Sequence, residues 1–90
     1  AKSTLLADFD PNSANKVDFA ILRDGAPVIA VECKQAAADL TEARGQLRRY
    51  FNALEKVKLG ILTNGILFEF FVDSAQPNIM AEEPFLTVDL

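Results

Sequence analysis

Two ionisable side chains interrupt an otherwise apolar stretch of this sequence. Glu32 and Lys34 stand two positions apart at the end of PVIAVECK, residues 27–34. On a β-strand this spacing places both side chains on one face. A second acid, Asp18, stands in the preceding apolar segment KVDFAIL, residues 16–22. Two carboxylates can bind a divalent cation, and an amine beside them can orient or deprotonate a water molecule.

The composition narrows the chemistry that these residues can perform. The 90-residue chain has no histidine and one cysteine, which excludes histidine-dependent triads, an internal disulfide and a zinc site. Catalysis would therefore use carboxylates, lysine, tyrosine or an oxygen-ligated metal. The net charge of -4 argues against a non-specific basic surface for nucleic acid, although a local basic patch is compatible with it.

The length of the chain predicts a single small domain. Half of the residues are hydrophobic, which is enough for a core. No apolar run is long enough to span a membrane, and the N-terminus has no signal-peptide pattern. With one cysteine, these features favour the cytoplasm. Because the sequence begins without a methionine, we expect it to be part of a longer chain.

Hydrophobic periodicity predicts an α/β fold with a mixed sheet. Residues 1–15 are predicted as a loop or the remnant of an N-terminal element, and residues 16–73 as the core. Residues 74–90 would form a loop and a short strand or the start of a following element. The core contains two strands joined by an Asp-Gly turn, a helix from about Asp39 to about Lys56, and the strands KLGILTNG and ILFEFFVD. The β-helix-β order predicts a parallel strand pair.

The register of the first hairpin decides whether Asp18 and Glu32 meet. A two-residue loop would place them on opposite faces, whereas a three-residue loop, residues 24–26, pairs Arg23 with Pro27 and Asp18 with Glu32. Only the longer loop gathers the apolar residues of both strands on one face: Val17, Phe19, Ile21, Ile29, Val31 and Cys33. We therefore predict the three-residue loop, with Cys33 as a core residue and the Cβ atoms of the two acids roughly 4.5–5.5 Å apart.

Two carboxylates at that separation repel each other. One of them could be protonated, Lys34 could neutralise the pair, or a divalent cation could lie between them. Carboxylate oxygens with several water molecules suit Mg²⁺, for which Mn²⁺ is a possible substitute.

These residues resemble the PD-(D/E)xK nuclease motif. Val17-Asp18 followed by Glu32-Cys33-Lys34 matches its pattern, with Val17 where proline is common. The helix adds QLRRY, residues 46–50, which is similar to the QxxxY motif of a subset of these nucleases. The segments RRYFNALEKVKLGILTNGILFEFF and PNIMAEEPFLTVDL are similar to the N-terminal nuclease domain of the type I restriction enzyme R subunit. The resemblance runs from about Lys16 to the end of the chain.

The resemblance implies a role for each matching residue. Asp18 and Glu32 would bind Mg²⁺ together with the backbone carbonyl of Cys33. Lys34 would position the attacking water and stabilise charge at the scissile phosphate. Gln46 and Tyr50 would contact the Lys34 region or the DNA backbone. The family often has a further acid on a helix before the first strand; we expect this helix to be missing here and assign no residue to that role.

The resemblance also implies a restriction-endonuclease-like fold and a module that hydrolyses DNA phosphodiester bonds in a type I restriction system. Site recognition and ATP-driven translocation would belong to other parts of the complex: a helicase or translocase domain, and methyltransferase and specificity subunits. The absence of a GxxxxGK[ST] motif from this sequence agrees with that division.

Other interpretations remain open at this point. Arg44, Arg48 and Arg49 form either a solvated helix face or contacts to DNA phosphates. Arg44 and Arg48 are a like-charge pair four residues apart, which a nearby anion would relieve. The alternatives to a nuclease are a catalytically inactive nuclease-fold module that binds DNA or protein, and a small structural or interaction domain whose acids are incidental.

Overall fold

The computed structural model describes residues 3–9, 17–35 and 40–90, which form a six-stranded sheet with one helix packed on one face. The strands are β1 Ser3–Phe9, β2 Val17–Arg23, β3 Ala26–Cys33, β4 Leu59–Thr63, β5 Leu67–Phe71 and β6 Leu86–Asp89. The helix, α1, spans Leu40–Ala53. Within these residues no helix is both long enough and apolar enough to cross a membrane.

The strands lie in chain order across the sheet, from β1 to β6. Neighbouring strands are antiparallel except β3 and β4, which are parallel and are connected through α1. The predicted α/β class, mixed sheet, parallel pair and two hairpins are therefore confirmed. The alternating apolar residues of the strands and the amphipathic stripe of α1 account for this arrangement, because each element buries one face against the other.

Residues 1–15 were predicted as a loop or the remnant of an N-terminal element, and the loop is wrong for Ser3–Phe9, which form an edge strand. The predicted end of the helix is also wrong, because α1 ends at Ala53 rather than near Lys56. Residues 3–6 are exposed, so backbone pairing with β2 rather than side-chain burial holds this part of β1, and its sequence signal is weak. The predicted loop at residues 10–15, the strand start at Lys16 and the helix start at Asp39 lie outside the described residues.

The tip of the first hairpin is tighter than predicted. Arg23 pairs with Ala26, so the loop contains only Asp24 and Gly25. Both residues have positive φ angles, 52° and 83°, as the common two-residue hairpin turn requires. The three-residue loop and the pairing of Arg23 with Pro27 are therefore wrong.

A β-bulge restores the predicted register farther along the hairpin. The pairing shifts by one residue immediately after Ile21, so that Phe19 faces Val31. The next residues along these strands are Asp18 and Glu32, and continuation of this register places them opposite each other. A bulge inserts one extra residue into one strand of an antiparallel pair, which compensates for the shorter loop.

The face of the sheet that α1 covers is the face that carries the acids. The core residues on this side are Ala20, Leu22, Ala30, Leu62 and Phe71 from the strands and Ala43, Leu47, Tyr50 and Phe51 from the helix. Cys33 was predicted to be a core residue on the apolar face, and this is wrong because Cys33 is only half-buried. On the same face Val17 is buried, whereas Phe19 is 37% exposed.

Polar side chains of α1 bind the loop that follows β5. Arg48 donates to the carbonyls of Met80 and Ala81, at 3.0 and 3.5 Å. The Met80 N–H donates to Asn52 Oδ1 at 2.8 Å. Because Arg48 and Asn52 are four residues apart, they lie on one side of the helix. These hydrogen bonds hold that side of α1 against the loop that follows β5.

Candidate active site

Asp18 and Glu32 are joined by two crossing hydrogen bonds at the end of the first hairpin. The Asp18 N–H donates to Glu32 Oε1 at 3.2 Å, and the Cys33 N–H donates to Asp18 Oδ2 at 2.8 Å. Each carboxylate thus accepts a hydrogen bond from the backbone of the opposite strand. The structure brings the two acids together, as the predicted register requires.

Lys34 lies beside the acid pair. Its Nζ is 3.6 Å from Glu32 Oε2, and its side chain is 32% exposed, whereas that of Glu32 is 4% exposed. The Lys34 N–H donates to the carbonyl of Thr63 at 2.9 Å, which continues the parallel pairing of β3 with β4. The backbone thus fixes Lys34 at the carboxyl ends of these strands. The lysine and the two backbone N–H groups offset the repulsion between the acids.

The surroundings of Glu32 favour its neutral form. Burial raises the pKa of Glu32 above its ordinary value of 4.5, and the neighbouring Asp18 charge raises it further. The hydrogen bond from the Asp18 N–H and the proximity of Lys34 act in the opposite direction. Burial, followed by the charges of Asp18 and Glu32, also raises the pKa of the Cys33 thiol. A cation placed at the acid pair would counter this accumulated negative charge.

Gln46 and Tyr50 lie on α1, four residues apart, and so share one side of the helix. α1 packs over β3 and β4, on the face that carries Glu32. Tyr50 is fully buried, and burial raises the pKa of its hydroxyl to about 12, so the phenol is neutral at pH 7. Gln46 Oε1 is buried and has no hydrogen-bond partner among the described residues.

The three arginines predicted to contact DNA have different surroundings. Arg44 Nη2 donates to both carboxylate oxygens of Glu69, at 2.8 and 3.1 Å, and its guanidinium carbon is 5.8 Å from the centre of the Phe71 ring. Arg48 binds the two loop carbonyls described above, and Arg49 is exposed. Glu69 is thus the anion that relieves the Arg44–Arg48 repulsion. The DNA-binding role of the three arginines remains a prediction, and Arg49 is the one whose head group faces solvent.

Glu69 is a functional candidate that was not predicted from the sequence. It is 9% exposed and shares a row with Glu32 on the covered face, because Leu62 pairs with both residues. Its sequence signal is the same as that of Glu32: a single acid inside an apolar strand, LFEFF. In the structure its carboxylate is neutralised by Arg44.

The donor set at the hairpin fits a hard cation bound largely by water. Among the described residues no group of three or more acidic or cysteine side chains is placed to hold a metal ion. The carboxylates of Asp18 and Glu32 are therefore the side-chain oxygens that could bind a metal ion at the hairpin. Mg²⁺ usually takes one or two carboxylates and keeps several water molecules, so the pair meets its requirement, with the Cys33 carbonyl as a further candidate oxygen.

Comparison with known proteins identifies the family. Residues 7–79 match the family described as "Type I restriction enzyme R protein N terminus", a range that contains Asp18, Glu32, Lys34 and α1. Neither a curated protein nor a solved structure matches the chain. The family match covers most of the 90 residues and agrees with the resemblance seen in the motifs. The chain therefore belongs to the family of type I restriction enzyme R protein N termini.

Proposed function

We propose that this chain is the DNA-cleaving module of a type I restriction enzyme, which hydrolyses phosphodiester bonds with Mg²⁺. The observation that carries the proposal is the convergence of Asp18, Glu32 and Lys34 at one end of the β2–β3 hairpin. Membership in the R protein family supports it. The sheet order, the parallel β3–β4 pair and the helix on the acidic face are consistent with a restriction-endonuclease-like fold and a PD-(D/E)xK site, which we include in the proposal.

Asp18 and Glu32 would hold the metal ion. Each uses one carboxylate oxygen to accept a backbone N–H, which fixes the orientation of both groups. Burial, and then the charge of Asp18, raise the pKa of Glu32, and the negative charge of the pair would attract a divalent cation. When bound, Mg²⁺ would lower the pKa of water and offset the charge that develops as the phosphate is attacked.

Lys34 would orient the water nucleophile and stabilise charge at the phosphate. Its ammonium group is next to Glu32, yet its side chain is 32% exposed, so it can reach a substrate that approaches from solvent. A compact, mobile ammonium suits this role better than a planar guanidinium. The hydrogen bond from its backbone to Thr63 would keep it in place.

Gln46 and Tyr50 would support the same site from the helix. The neutral phenol of Tyr50 can donate a hydrogen bond, and Gln46 Oε1 can accept one from an ammonium group or from water. Arg49 would contact the DNA backbone, whereas Arg44 and Arg48 would contribute mainly by holding α1 in position. An ATP-driven translocase domain and the methyltransferase and specificity subunits would complete the restriction complex.

Calorimetry with Mn²⁺ tests the metal site directly. Asp18→Asn removes the charge but keeps an oxygen that can accept the Cys33 N–H, so the fold should persist. Asp89→Asn is the control, because Asp89 is an exposed acid on the edge strand β6. We expect the parent chain and the Asp89 variant to take up Mn²⁺ and the Asp18 variant to lose this uptake. Equal uptake by all three proteins would exclude the proposed site.

Plasmid nicking by the R protein that carries this chain tests the chemistry. Asp18→Asn, Glu32→Gln and Lys34→Met should each abolish nicking, and Asp89→Asn should not. If Mn²⁺ and DNA bind through these residues but no variant affects cleavage, the chain is an inactive binding module. Full cleavage by the Lys34 variant alone would remove Lys34 from the mechanism.

A further inference from the structure

Asn64 lies at the same level of the sheet as Lys34. Cys33 pairs with Thr63 across the parallel strands β3 and β4, and the Lys34 N–H donates to the Thr63 carbonyl at 2.9 Å. The residues that follow, Lys34 and Asn64, are therefore neighbours at the carboxyl ends of these strands, at the usual interstrand spacing of about 4.8 Å. In open α/β sheets, ligands bind beyond the carboxyl ends of the parallel strands.

Asn64 also belongs to the face of the sheet that carries the acids. Side chains alternate between the two faces along a strand, and on β4 Gly60 and Leu62 lie on the face that α1 covers. Asn64 is the next residue of this series, as Lys34 is the next residue after Glu32 on β3. Asn64 and Lys34 are both half-buried, so a substrate that reaches one of them can reach the other.

The turn between β4 and β5 fixes the amide of Asn64. Its Oδ1 accepts the N–H groups of Ile66 and Leu67, at 3.0 and 2.8 Å. Gly65 has a positive φ angle of 90°, which lets the chain turn tightly at this point. Because both of these backbone groups are donors, the atom that faces them must be the oxygen, and Nδ2 is not used by the turn. Among the described residues, none accepts a hydrogen bond from Nδ2.

The turn itself does not require an amide. Asn and Asp form such turns alike, because either side chain offers an oxygen to the backbone N–H groups. Asparagine differs in its neutral NH₂ group, which supplies two donors where aspartate would add a negative charge. Asparagine is one of the side chains that contact the phosphate oxygens of DNA. At this end of the sheet, the residue type thus meets a requirement that the turn does not impose.

We propose that Asn64 is a substrate-contacting residue, whose Nδ2 donates to a phosphate oxygen of the DNA strand bound at the acid pair. The inference rests on the proposed cleavage function. Lys34 supplies positive charge to the phosphate, and Asn64, one strand farther along the sheet, fixes the position of the DNA strand with a directed hydrogen bond. An aspartate at this position would attract the Lys34 ammonium and repel the phosphate.

Two substitutions of Asn64 separate the donor from the turn. Asn64→Asp keeps an oxygen for the turn, but it loses the donor and adds a charge. Asn64→Ala loses the donor and the turn contact without adding a charge, so the loss of the donor is the one change that both variants share. Asn78→Asp is the control, because Asn78 accepts from Lys58, which precedes β4 at its other end. Asp18→Asn reports on cleavage itself.

Plasmid nicking by the R protein that carries this chain is the assay. Asn64→Asp and Asn64→Ala should each nick roughly tenfold to a hundredfold more slowly than the parent, the effect of losing a hydrogen bond to a charged group. Asn78→Asp should nick at the parent rate. In calorimetry, both Asn64 variants should keep the Mn²⁺ uptake that Asp18→Asn loses, because Asn64 contacts the substrate and not the metal.

Nicking at the parent rate by Asn64→Asp would overturn the inference and leave Asn64 as a turn residue. The same rate in Asn64→Ala would also overturn it, because only the added charge would then matter. Loss of Mn²⁺ uptake in both Asn64 variants would assign their slower nicking to a disturbed metal site, which again contradicts a substrate contact. Nicking retained by Asp18→Asn would refute the proposed function and this inference together, whereas nicking lost in Asp18→Asn but kept in the Asn64 variants would refute this inference alone.

Discussion

Replacement of Glu32 by Gln should stabilise the fold while it removes the proposed activity. Gln has the same shape and keeps an oxygen that can accept the Asp18 N–H, which lies 3.2 Å from Glu32 Oε1. The substitution removes a buried charge that burial and Asp18 both disfavour. It also removes the contact with Lys34 at 3.6 Å, in which the lysine is 32% exposed.

The two contributions differ in size. An unfavourably buried polar group costs roughly 1–3 kcal/mol, and an ion pair with an exposed partner returns at most about 1 kcal/mol. The net gain should therefore be about 1 kcal/mol at neutral pH without divalent cations. In a domain of this size, that difference raises Tm by about 4–8 °C.

The pH dependence follows from the direction of the pKa shift. Because the pKa of Glu32 is higher in the folded than in the unfolded protein, the protonated group favours folding below its ordinary value of 4.5. This contribution is lost as the pH rises through the folded-state pKa. The advantage of the Gln variant should therefore be small at pH 4 and should grow to a plateau as Glu32 ionises.

Thermal unfolding in EDTA between pH 4 and pH 8 measures both effects, with Glu83→Gln as an exposed control. Free Mg²⁺ at ten times its Kd should then stabilise the parent chain by about 1.4 kcal/mol and leave the Glu32 variant unchanged. A Glu32 variant that is less stable than the parent chain at every pH would refute the reasoning, because the carboxylate would then be a net stabilising group.

Three further predictions concern groups around the site. A Cβ at Gly60 would lie 3.2 Å from Leu47 Cδ2, whereas a Cβ at Gly45 would meet only the end of Arg49 at 3.7 Å. In urea titrations, Gly60→Ala should lower the free energy of unfolding by about 1–3 kcal/mol, and Gly45→Ala should raise it by up to about 1 kcal/mol. Arg44→Met should lower the free energy of unfolding by roughly 2 kcal/mol because it leaves Glu69 buried and unpaired. Adding Glu69→Leu should recover at least half of this loss, and no recovery would show that the two residues do not act as a pair. Alkylation of Cys33 by iodoacetamide should continue to accelerate above pH 9, because burial and the two acids raise its pKa; in Asp18→Asn the acceleration should move to lower pH, and an unchanged profile would contradict the assigned cause.

The site could be predicted from the sequence because two independent patterns constrained it. The Asp-Gly turn chemistry indicated a two-residue loop, and the hydrophobic alternation indicated the register that brings Asp18 opposite Glu32. The first indication is right at the tip of the hairpin, where Arg23 pairs with Ala26, and the second is right beyond the bulge, where Phe19 pairs with Val31. The bulge that reconciles them has no distinct residue signature, so the loop length was predicted incorrectly although the facing of the two acids was predicted correctly.

The covered face was harder to predict, because periodicity separates the two faces of a strand without identifying the one that meets the helix. Small residues provide the missing signal. Ala20, Ala30 and Gly60 lie on the acidic face, where they let α1 approach the sheet closely. Arg44 and Arg48 find their partners on β5 and in the loop that follows it, which are distant in sequence. The spacing of the two arginines predicted that they repel each other, but it did not identify the anion that offsets this repulsion.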